Sequence, residues 1–228
     1  MDGILLFNKP IGWTSHDAVD FVRRRTGQRS VGHAGTLDPM ATGLLILLIG
    51  KATKLSGELM GLEKDYEGTM QLGLETDTQD LEGCIVSTSD WRAVTEDAVR
   101  AVFLGLTGTQ AQAPPAYSAV KKGGHKLYDL ARKGIAVTVE PRQIVVSRFD
   151  ALAMNGQEVH FTVTCSKGTY IRSLASSVGE RLGCGATLSS LVRTRIGPYR
   201  LSSALREEEV LSQSHEALQS RLVRKDPS

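Results

Sequence analysis

Apolar residues recur at helical spacing in three parts of the 228-residue chain. The first helix is predicted to begin at residues 14–17 and to stop at Gly27, because hydroxyl and carboxylate side chains favour helix starts and glycine favours helix ends. A second helix begins at Thr95 and ends before Gly108. The third carries apolar residues from Ile171 to Leu182 and stops at Gly183. Each stripe predicts an amphipathic helix with one buried face.

Strand patterns lie between these helices. Residues 159–165 alternate between apolar and polar side chains, which is typical of a strand with one buried face. Residues 44–49 form an unbroken apolar run that is too short for a membrane span and fits a buried strand or helix segment. The elements interleave irregularly, without a βαβ repeat or a glycine-rich nucleotide fingerprint. The predicted class is α+β, with a mixed, mainly antiparallel sheet and flanking helices.

Residues 109–141 are predicted to form an inserted basic lobe. A Pro-Pro turn precedes two lysines and two glycines, and a short helix around residues 127–133 is followed by glycine. Glycines that flank a basic helix favour a movable segment. The last residues, 207–228, predict a short polar helix and a tail. We therefore expect one domain over residues 1–206, which includes the lobe, and a short C-terminal extension.

Charge is distributed unevenly along a chain whose net charge is +2. Between residues 63 and 83, seven acidic residues accompany one lysine. Between residues 119 and 149, two acidic residues accompany seven basic ones, which are Lys121, Lys122, Lys126, Arg132, Lys133, Arg142 and Arg148. A basic segment on a nearly neutral protein indicates a local contact with a polyanion. The alternative is a solvated surface with scattered lysines.

The cysteines and the first residues argue against several classes of protein. Cys84, Cys165 and Cys184 are far apart and form no CxxC pair, so neither a zinc site nor a disulfide framework is predicted. The chain begins Met-Asp-Gly and lacks the basic and apolar regions of a secretory signal. We expect a cytoplasmic protein without a metal or a membrane contact.

Residues 32–39, Gly-His-Ala-Gly-Thr-Leu-Asp-Pro, hold the carboxylate of Asp38 in a constrained turn. Gly32 and Gly35 allow backbone angles and close approaches that a side chain would forbid. Pro39 biases Asp38 towards an extended conformation. Asp38 is therefore a candidate functional carboxylate on a stiff turn, and the alternative is an ordinary Asx-turn.

Further short motifs surround this turn in a fixed order. They are NKPIGWTS at 8–15, GKATKL at 50–55, KDY at 64–66, LGLETDTQDLEG at 72–83, PPAYSAVK at 114–121 and GTYIRSL at 168–174. Together with the Asp38 turn, this set resembles the family of bacterial tRNA pseudouridine synthases that isomerise uridine 55 of the T loop. The resemblance runs from about residue 3 to residue 200.

This resemblance implies the pseudouridine synthase fold, in which the active-site cleft crosses the sheet. The implied reaction moves C1′ of a uridine from N1 to C5 of the base, without a redox change, so we expect no cofactor. Asp38 is implied to be the essential aspartate, which acts while it is ionised. Attack on C1′, addition to the base and removal of a ribose proton all remain open for it.

An ionised carboxylate in a closed pocket needs a partner, because burial of an isolated charge is costly. Arg172 lies off the apolar stripe of its helix, and its planar guanidinium suits a carboxylate. We therefore expect Arg172 to pair with Asp38, the alternative being an ordinary exposed helix arginine. Asp80 matches an acidic motif that in the family is often tied to this arginine.

The resemblance also implies residues that hold the flipped uridine. Tyr66 would lie against the uracil, with its hydroxyl in the C5 proton transfer, while Tyr170 and Leu191 would form the pocket wall or simply pack in the core. His33 would fill the space that the extruded base leaves, the alternative being a loop histidine that caps a turn. Stacking on an aromatic ring contributes about 1–3 kcal/mol per base, against a few kcal/mol for unstacking the target.

Three further assignments concern binding. Lys9 would support the floor of the cleft with Pro10 and contact phosphate, or else be solvated. Lys121, Lys122 and Lys126 of the basic lobe would contact the RNA backbone. Many relatives carry histidine at the position of Thr187, which we do not regard as catalytic. Most members also continue into a C-terminal RNA-binding domain, for which this chain lacks the length.

We therefore expect a monomeric enzyme whose partner is the T stem-loop of tRNA. Two alternatives stay open. The protein could act as an RNA chaperone on the tRNA elbow, since base flipping requires loosening of the contact between the T and D loops. It could also be a guide-dependent synthase that acts on ribosomal RNA, although such proteins rely on a C-terminal domain and on partner proteins.

Overall fold

A computed structural model describes residues 1–118, 120–132, 134–135 and 139–225. The strands among them are β1 (Gly3–Lys9), β2 (Val31–Ala34), β3 (Ala41–Ile49), β4 (Lys64–Leu72), β5 (Leu74–Thr76), β6 (Ile85–Thr88), β7 (Gly108–Gln112), β8 (Lys121–Lys122), β9 (His125–Lys126), β10 (Arg142–Asn155), β11 (Glu158–Cys165), β12 (Ala186–Ile196) and β13 (Tyr199–Arg200). Most of the strand pairs among the described residues are antiparallel, and the pairing of β12 with β3 is parallel. The predicted α+β class with a mixed, mainly antiparallel sheet is confirmed.

The helices include the three that the apolar spacing predicts. They are α1 (Ser15–Thr26), α2 (Ser56–Gly61), α3 (Glu96–Gly105), α4 (Leu127–Arg132), α5 (Ile171–Leu182), α6 (Glu207–Ser212) and α7 (His215–Ser220), with 3₁₀ turns at Gly50–Leu55 and Leu201–Ser203. Thr14 caps α1 through a reciprocal pair of hydrogen bonds with Asp17. Gly27 and Gly183 end α1 and α5 in the left-handed conformation, with φ of 67° and 76°. Among the described residues, no helix has both the length and the apolar character needed to cross a membrane.

The chain divides into two compact units, of which the first comprises Met1–Glu67 and Leu191–Ser228. Here β3 pairs antiparallel with β1 and with β2, and its first residues pair in parallel with residues 191–193 of β12. Side chains of β3 alternate between two apolar clusters: Leu45, Leu47 and Ile49 join α1 in one, and Leu44, Ile46 and Leu48 lie in the other. The apolar run 44–49 is therefore a strand buried on both faces, which explains why it lacks polar alternation.

The C-terminal residues, predicted to form a short polar helix and a tail, bury several apolar side chains in the core. Instead of one short helix and a tail, the structure has α6 and α7. Val210, Leu218 and Leu222 are buried in the same cluster as α1, and Val223 pairs with Ile4 of β1. This segment therefore contributes to the core of the first unit.

The second unit comprises Gly68–Ser190. Its strands follow the order β12, β4, β11, β10 and β7, and β5 pairs with β6 separately. In β11, the apolar positions from Val159 to Cys165 are buried and the residues between them are only partly so, which confirms the predicted alternation. Phe103 of α3 stacks on Phe149 at 3.8 Å between ring centroids. Within the lobe, β8, β9 and α4 are described, whereas Lys133 and Ala119 lie outside the described residues.

Candidate active site

Asp38 lies in the turn that joins β2 to β3, and its side chain is half-buried. The main chain of the turn is held on several sides. Leu37 donates its N–H to Oγ of Ser15 at 2.8 Å, and Gly12 donates to the carbonyl of Pro39 at 2.9 Å. The Ala41 N–H closes the turn by donating to the Asp38 carbonyl at 3.1 Å. The turn is therefore fixed to the start of α1 and to the loop before it.

Lys9 is completely buried, so the prediction that it is solvated is wrong, and in this structure its ammonium is not exposed for a phosphate contact. Its Nζ donates to the carbonyls of Trp13 at 2.6 Å, Pro10 at 2.9 Å and Pro39 at 3.4 Å. The Pro39 carbonyl directly follows Asp38 in the chain. Lys9 thus supports the loop around Pro10 and the Asp38 turn from inside the unit, which agrees with the other part of the prediction, a role in the floor of the site.

Arg193 of β12 is a second buried cation beside this turn, and the sequence analysis missed it. The residue is 1% exposed. Its Nε donates to the carbonyl of Leu44 at 2.8 Å, Nη2 to that of Gly35 at 3.0 Å and Nη1 to that of Thr36 at 3.3 Å. The signal that could have found it is its place in the alternation of β12, where it shares the inward side with Leu191.

His33 lies in β2, where it is half-buried and pairs in register with Leu47. Burial lowers the pKa of its imidazole, and the positive charges of Arg193 and His16 lower that pKa further. The ring is therefore neutral at pH 7. Its Nδ1 is buried and makes no hydrogen bond within the described part of the chain. A neutral ring with hydrogen-bonding capacity to spare can stack on a base and bond to it.

Tyr66 and Leu191 are both buried at inward positions of their strands, β4 and β12. The residue before Tyr66 is fixed by charge. Asp65 accepts hydrogen bonds from the guanidinium of Arg195, one of them at 2.7 Å, and this pairing, together with the bond from Arg195 to Glu63, raises the pKa of Arg195 above its ordinary range. The backbone that carries Tyr66 is thereby anchored to β12 within the first unit.

Arg172 and Asp80 form a buried ion pair in the second unit, each 4% exposed. Nη1 of Arg172 lies 3.4 Å from Oδ2 of Asp80 and donates to the carbonyl of Thr78 at 2.8 Å, while Nη2 donates to the carbonyl of Tyr117 at 2.9 Å. The expected link between Asp80 and Arg172 is confirmed, and the alternative of an exposed helix arginine is wrong. The pairing of Arg172 with Asp38 stays a prediction.

The turn that carries Asp80 is itself tightly held. Oδ1 of Asp80 accepts from Oγ1 of Thr78 at 2.6 Å and from the N–H of Glu82 at 3.2 Å. Gln79 adopts a φ of 64°, which is uncommon for a residue other than glycine, and Oγ of Ser173 donates to its Oε1 at 2.9 Å. A strained residue fixed by its neighbours is typical of functional sites.

Thr187 lies behind this turn and is completely buried. Its hydroxyl is 3.5 Å from Oγ1 of Thr76, which donates to the Asp80 carbonyl at 2.6 Å. Burial gives Thr187 a packing role next to Asp80, in agreement with our view that it is not catalytic.

Tyr170 is the residue before α5 and is half-buried. The side chain of Gln112, at the end of β7, bonds both main-chain groups of Tyr170: Nε2 donates to its carbonyl at 3.0 Å, and Oε1 accepts from its N–H at 2.8 Å. This pair of hydrogen bonds fixes the start of α5.

The side chains of Lys121, Lys122 and Lys126 lie outside the described part of the structure. Within the described ranges, no cluster of three His, Cys, Asp or Glu side chains could hold a metal ion.

Comparison with known families finds a match to "TruB family pseudouridylate synthase (N terminal domain)" over residues 23–171. Among individual proteins, the chain is 47% identical to the tRNA pseudouridine synthase B of Opitutus terrae, over 98% of this chain and 92% of that protein. It is 51% identical to the tRNA pseudouridine synthase B of Oleidesulfovibrio alaskensis, over 94% of this chain and 69% of that protein.

Solved structures show the same fold. A Cbf5-Nop10-Gar1 complex contains a chain with a TM-score of 0.70 and 31% identity, and the match covers 90% of this chain. An H/ACA RNP bound to a substrate RNA contains a chain with a TM-score of 0.67 and 28% identity, also over 90% of this chain. The chain spans about half the length of those two solved chains, 52% and 51% respectively.

Proposed function

Because the chain belongs to the TruB family of pseudouridylate synthases, we propose that it isomerises uridine 55 in the T loop of tRNA to pseudouridine. The observation that carries the proposal is the match to a tRNA pseudouridine synthase B at 47% identity, which covers 98% of this chain. The motif GTLDP at residues 35–39 supports it from the sequence.

The reaction sets the requirements for the site. The bond between C1′ and N1 breaks and a bond between C1′ and C5 forms, while C5 loses a proton and N1 gains one. Atoms and electrons therefore balance within the uridine, and neither an oxidant nor a cofactor is needed. The protein must supply a group that acts at the sugar–base junction, a path for the C5 proton and a pocket for the detached uracil.

Asp38 is our candidate for the group at the junction. Its half-buried side chain combines access for a substrate with a main chain that Ser15, Lys9 and Arg193 hold in place. An ionised carboxylate can attack C1′, add to the base or remove a ribose proton. All three routes need the same fixed, ionised Asp38.

The base must leave the T-loop stack before it can react, at a cost of a few kcal/mol. We assign Tyr66 to stack on the flipped uracil, with its hydroxyl in the C5 proton transfer, and Leu191 and Tyr170 to the pocket wall. The neutral His33 ring suits the space that the base leaves, because its Nδ1 has no hydrogen-bond partner within the described part of the chain. Stacking of this kind returns about 1–3 kcal/mol per base.

Arg172 is assigned a role in catalysis as well. A buried guanidinium that bonds to Asp80, Thr78 and Tyr117 is held in a single position. Its fixed positive charge would favour the ionised form of a carboxylate close by. We assign the contacts with the RNA backbone to Lys121, Lys122 and Lys126, and we expect a cytoplasmic monomer.

The test uses purified protein and an isolated T-arm RNA that contains a single uridine at the target position, with no guide RNA or other protein. Pseudouridine is mapped after the reaction by chemical modification and primer extension. We expect modification at position 55, and a T-arm variant with cytidine at that position serves as the control. RNA that binds but is never modified would contradict the proposal and favour the chaperone.

A guide-dependent synthase is the second candidate, because a chain in a Cbf5-Nop10-Gar1 complex shares this fold with a TM-score of 0.70. The identity to that chain is 31%, against 47% to the Opitutus terrae protein. A second arm of the experiment, with guide RNA and partner proteins added, separates the two candidates. Modification that appears only after guide RNA and partner proteins are added would favour the second.

A further inference from the structure

Arg193 is a buried residue that the motifs of the sequence do not include. It lies on β12 in parallel register with Gly43 of β3. Gly43 has a φ of 98°, and a Cβ atom there would lie 2.5 Å from the carbonyl oxygen of Arg193. Glycine at this position allows the two strands to approach closely, which places the main chain of Arg193 beside the start of β3.

From that position, the side chain bonds to both ends of the turn that holds Asp38. Before Asp38, Nη2 and Nη1 donate to the carbonyls of Gly35 and Thr36, at 3.0 and 3.3 Å. After Asp38, Nε donates to the carbonyl of Leu44 in β3 at 2.8 Å. One rigid group therefore sets the distance between the two segments from which Asp38 projects.

The partners of this guanidinium distinguish it from an ordinary buried ion pair. In the described part of the chain, the guanidinium of Arg193 donates hydrogen bonds to three backbone carbonyl oxygens. Burial of a charge among neutral groups is costly, and hydrogen bonds that involve an ionised donor offset part of that cost. A planar fork can bond three carbonyls in fixed directions, whereas a lysine ammonium is a single point charge on a flexible stem.

We propose that Arg193 is a positioning residue for Asp38, because its guanidinium holds the carbonyls of Gly35 and Thr36 at a fixed place relative to β3. The inference rests on the proposed catalytic role of Asp38. A displacement of about 1 Å at a reacting group can lower the rate about 100-fold. Loss of Arg193 is therefore expected to lower the rate of the chemical step and to leave the affinity for RNA nearly unchanged.

His33 offers a readout of Arg193 that does not depend on activity. The positive charge of Arg193 contributes to the lowered pKa of His33, after the larger effect of burial. The other charged group that contributes is His16. Replacement of Arg193 by a neutral side chain therefore raises the pKa of His33, and replacement by lysine leaves it closer to its value in the parent protein.

The experiment compares Arg193→Gln and Arg193→Lys with Arg25→Lys. Arg25 also belongs to the first unit and also donates to backbone carbonyls, those of Val210 and Gln213, but these lie in the C-terminal segment. Single-turnover rates are measured with saturating enzyme on tRNA labelled with tritium at C5 of uridine, and Kd is measured by filter binding. We expect Arg193→Gln to lower the rate about 100-fold and Arg193→Lys to lower it less. We expect both to keep Kd within a few-fold, and Arg25→Lys to change neither quantity.

Unfolding midpoints are measured first, and all rates are taken at a temperature at which each variant is folded. Should Arg193→Gln not fold, Arg193→Lys and Gly35→Ala decide the question. Gly35 has a φ of 94°, which side chains rarely adopt, while a Cβ atom there would only reach ordinary van der Waals contact with Nη1 of Arg193, at 3.5 Å. Alanine therefore strains the backbone that presents the Gly35 and Thr36 carbonyls to Arg193. A rate near that of the parent protein in these variants, or a loss that appears in Kd instead of the rate, overturns the proposal.

Asp38→Asn is assayed in parallel so that two failures can be told apart. If Asp38→Asn is inactive and the Arg193 variants are fully active, only the positioning role fails. If Asp38→Asn turns over, the proposed role of Asp38 fails, and the positioning role fails with it. The pKa of His33, followed by NMR, is expected to rise in Arg193→Gln relative to the parent protein, and an unchanged value would contradict the placement of the Arg193 charge close to His33.

Discussion

Arg172 in the second unit and Arg193 in the first are 4% and 1% exposed, but they reach this burial with different partners. Arg172 bonds to the carboxylate of Asp80 and to two backbone carbonyls. Arg193 bonds to three backbone carbonyls. The first arrangement places two opposite charges together, and the second places one charge among main-chain dipoles.

The difference predicts how each site responds to substitution. Removal of one partner of a buried ion pair leaves the other charge buried, which is strongly destabilising. A second substitution that removes the remaining charge can then restore part of the stability. The three hydrogen bonds described for Arg193 go to backbone carbonyls, so among these partners there is no charged side chain whose removal could compensate.

The largest effect we expect is a loss of protein stability when the ion pair of Arg172 with Asp80 is broken. Arg172→Gln should lower the free energy of unfolding by about 3–5 kcal/mol, because Asp80 stays buried after its cationic partner is lost. In the double variant with Asp80→Asn, the loss should be smaller than the sum of the two single losses by about 0.5–3 kcal/mol. Urea unfolding of the four proteins of this cycle gives both numbers.

Arg181→Gln is the matched control for that cycle. Arg181 lies on the same helix, α5, and donates to the carbonyl of Gly105 at 2.9 Å from an exposed position. Exposed substitutions of this kind usually change stability by less than about 0.5 kcal/mol. If the losses at Arg172 and Asp80 were simply additive, the two charges would not be coupled, and the contrast with Arg193 would fail.

A smaller effect is expected from the basic lobe, which we assign to binding and not to chemistry. Replacement of Lys121, Lys122 and Lys126 by glutamine should weaken the binding of T-arm RNA and flatten its dependence on salt. Each lost phosphate contact reduces the logarithmic slope by about 0.7–0.9. The single-turnover rate at saturating enzyme should fall by a much smaller factor than that by which Kd rises.

Binding titrations at several salt concentrations measure this slope, with the exposed Lys51 and Lys54 of the first unit replaced in a control variant. An unchanged slope in the lobe variant would mean that the RNA backbone is held elsewhere. A loss of rate without a loss of affinity would mean that these lysines contribute to the chemical step and not to RNA binding.

The smallest effect we expect is a pH dependence of stability that comes from His33 in the first unit. The pKa of His33 is lowered from 6.5 in the folded protein, so the unfolded chain binds more protons than the folded one between that lowered pKa and 6.5. Stability therefore falls as the pH drops below about 6.5 towards the folded pKa. The slope of stability with pH in this window should be smaller in His33→Gln. His215→Gln, a change of the same kind at an exposed position, is the control variant.

The sequence predicted the helices well because their signals are local. Thr14 and Asp17 cap α1, and Gly27 and Gly183 end α1 and α5 where the pattern places them. The link between Arg172 and Asp80 was also predicted, but from the resemblance to a family and not from spacing. Asp80 and Arg172 are far apart in the chain, so no local periodicity could bring them together.

The burial of Lys9, predicted among the alternatives to be solvated, and of Arg193, which the sequence analysis missed, has a common physical reason. A lysine or arginine in a sequence is assumed to be solvated, because charged side chains are rarely buried without a partner. Both residues are buried here because backbone carbonyls of the Asp38 turn and its neighbours accept their hydrogen bonds. Carbonyl partners leave no mark in the sequence, since every residue has one.

The central claim is that Asp38 performs the isomerisation, and Asp38→Asn tests it most directly. The purified variant is assayed for pseudouridine formation in tRNA under single-turnover conditions, with Kd measured on the same RNA. Mass spectrometry excludes deamidation back to aspartate. Asp90→Asn serves as the control, because Asp90 is an exposed carboxylate that pairs with Arg92. We predict no pseudouridine above background with Asp38→Asn, a Kd within a few-fold of the parent value and full activity of the control. Measurable turnover by the Asp38 variant would contradict the account.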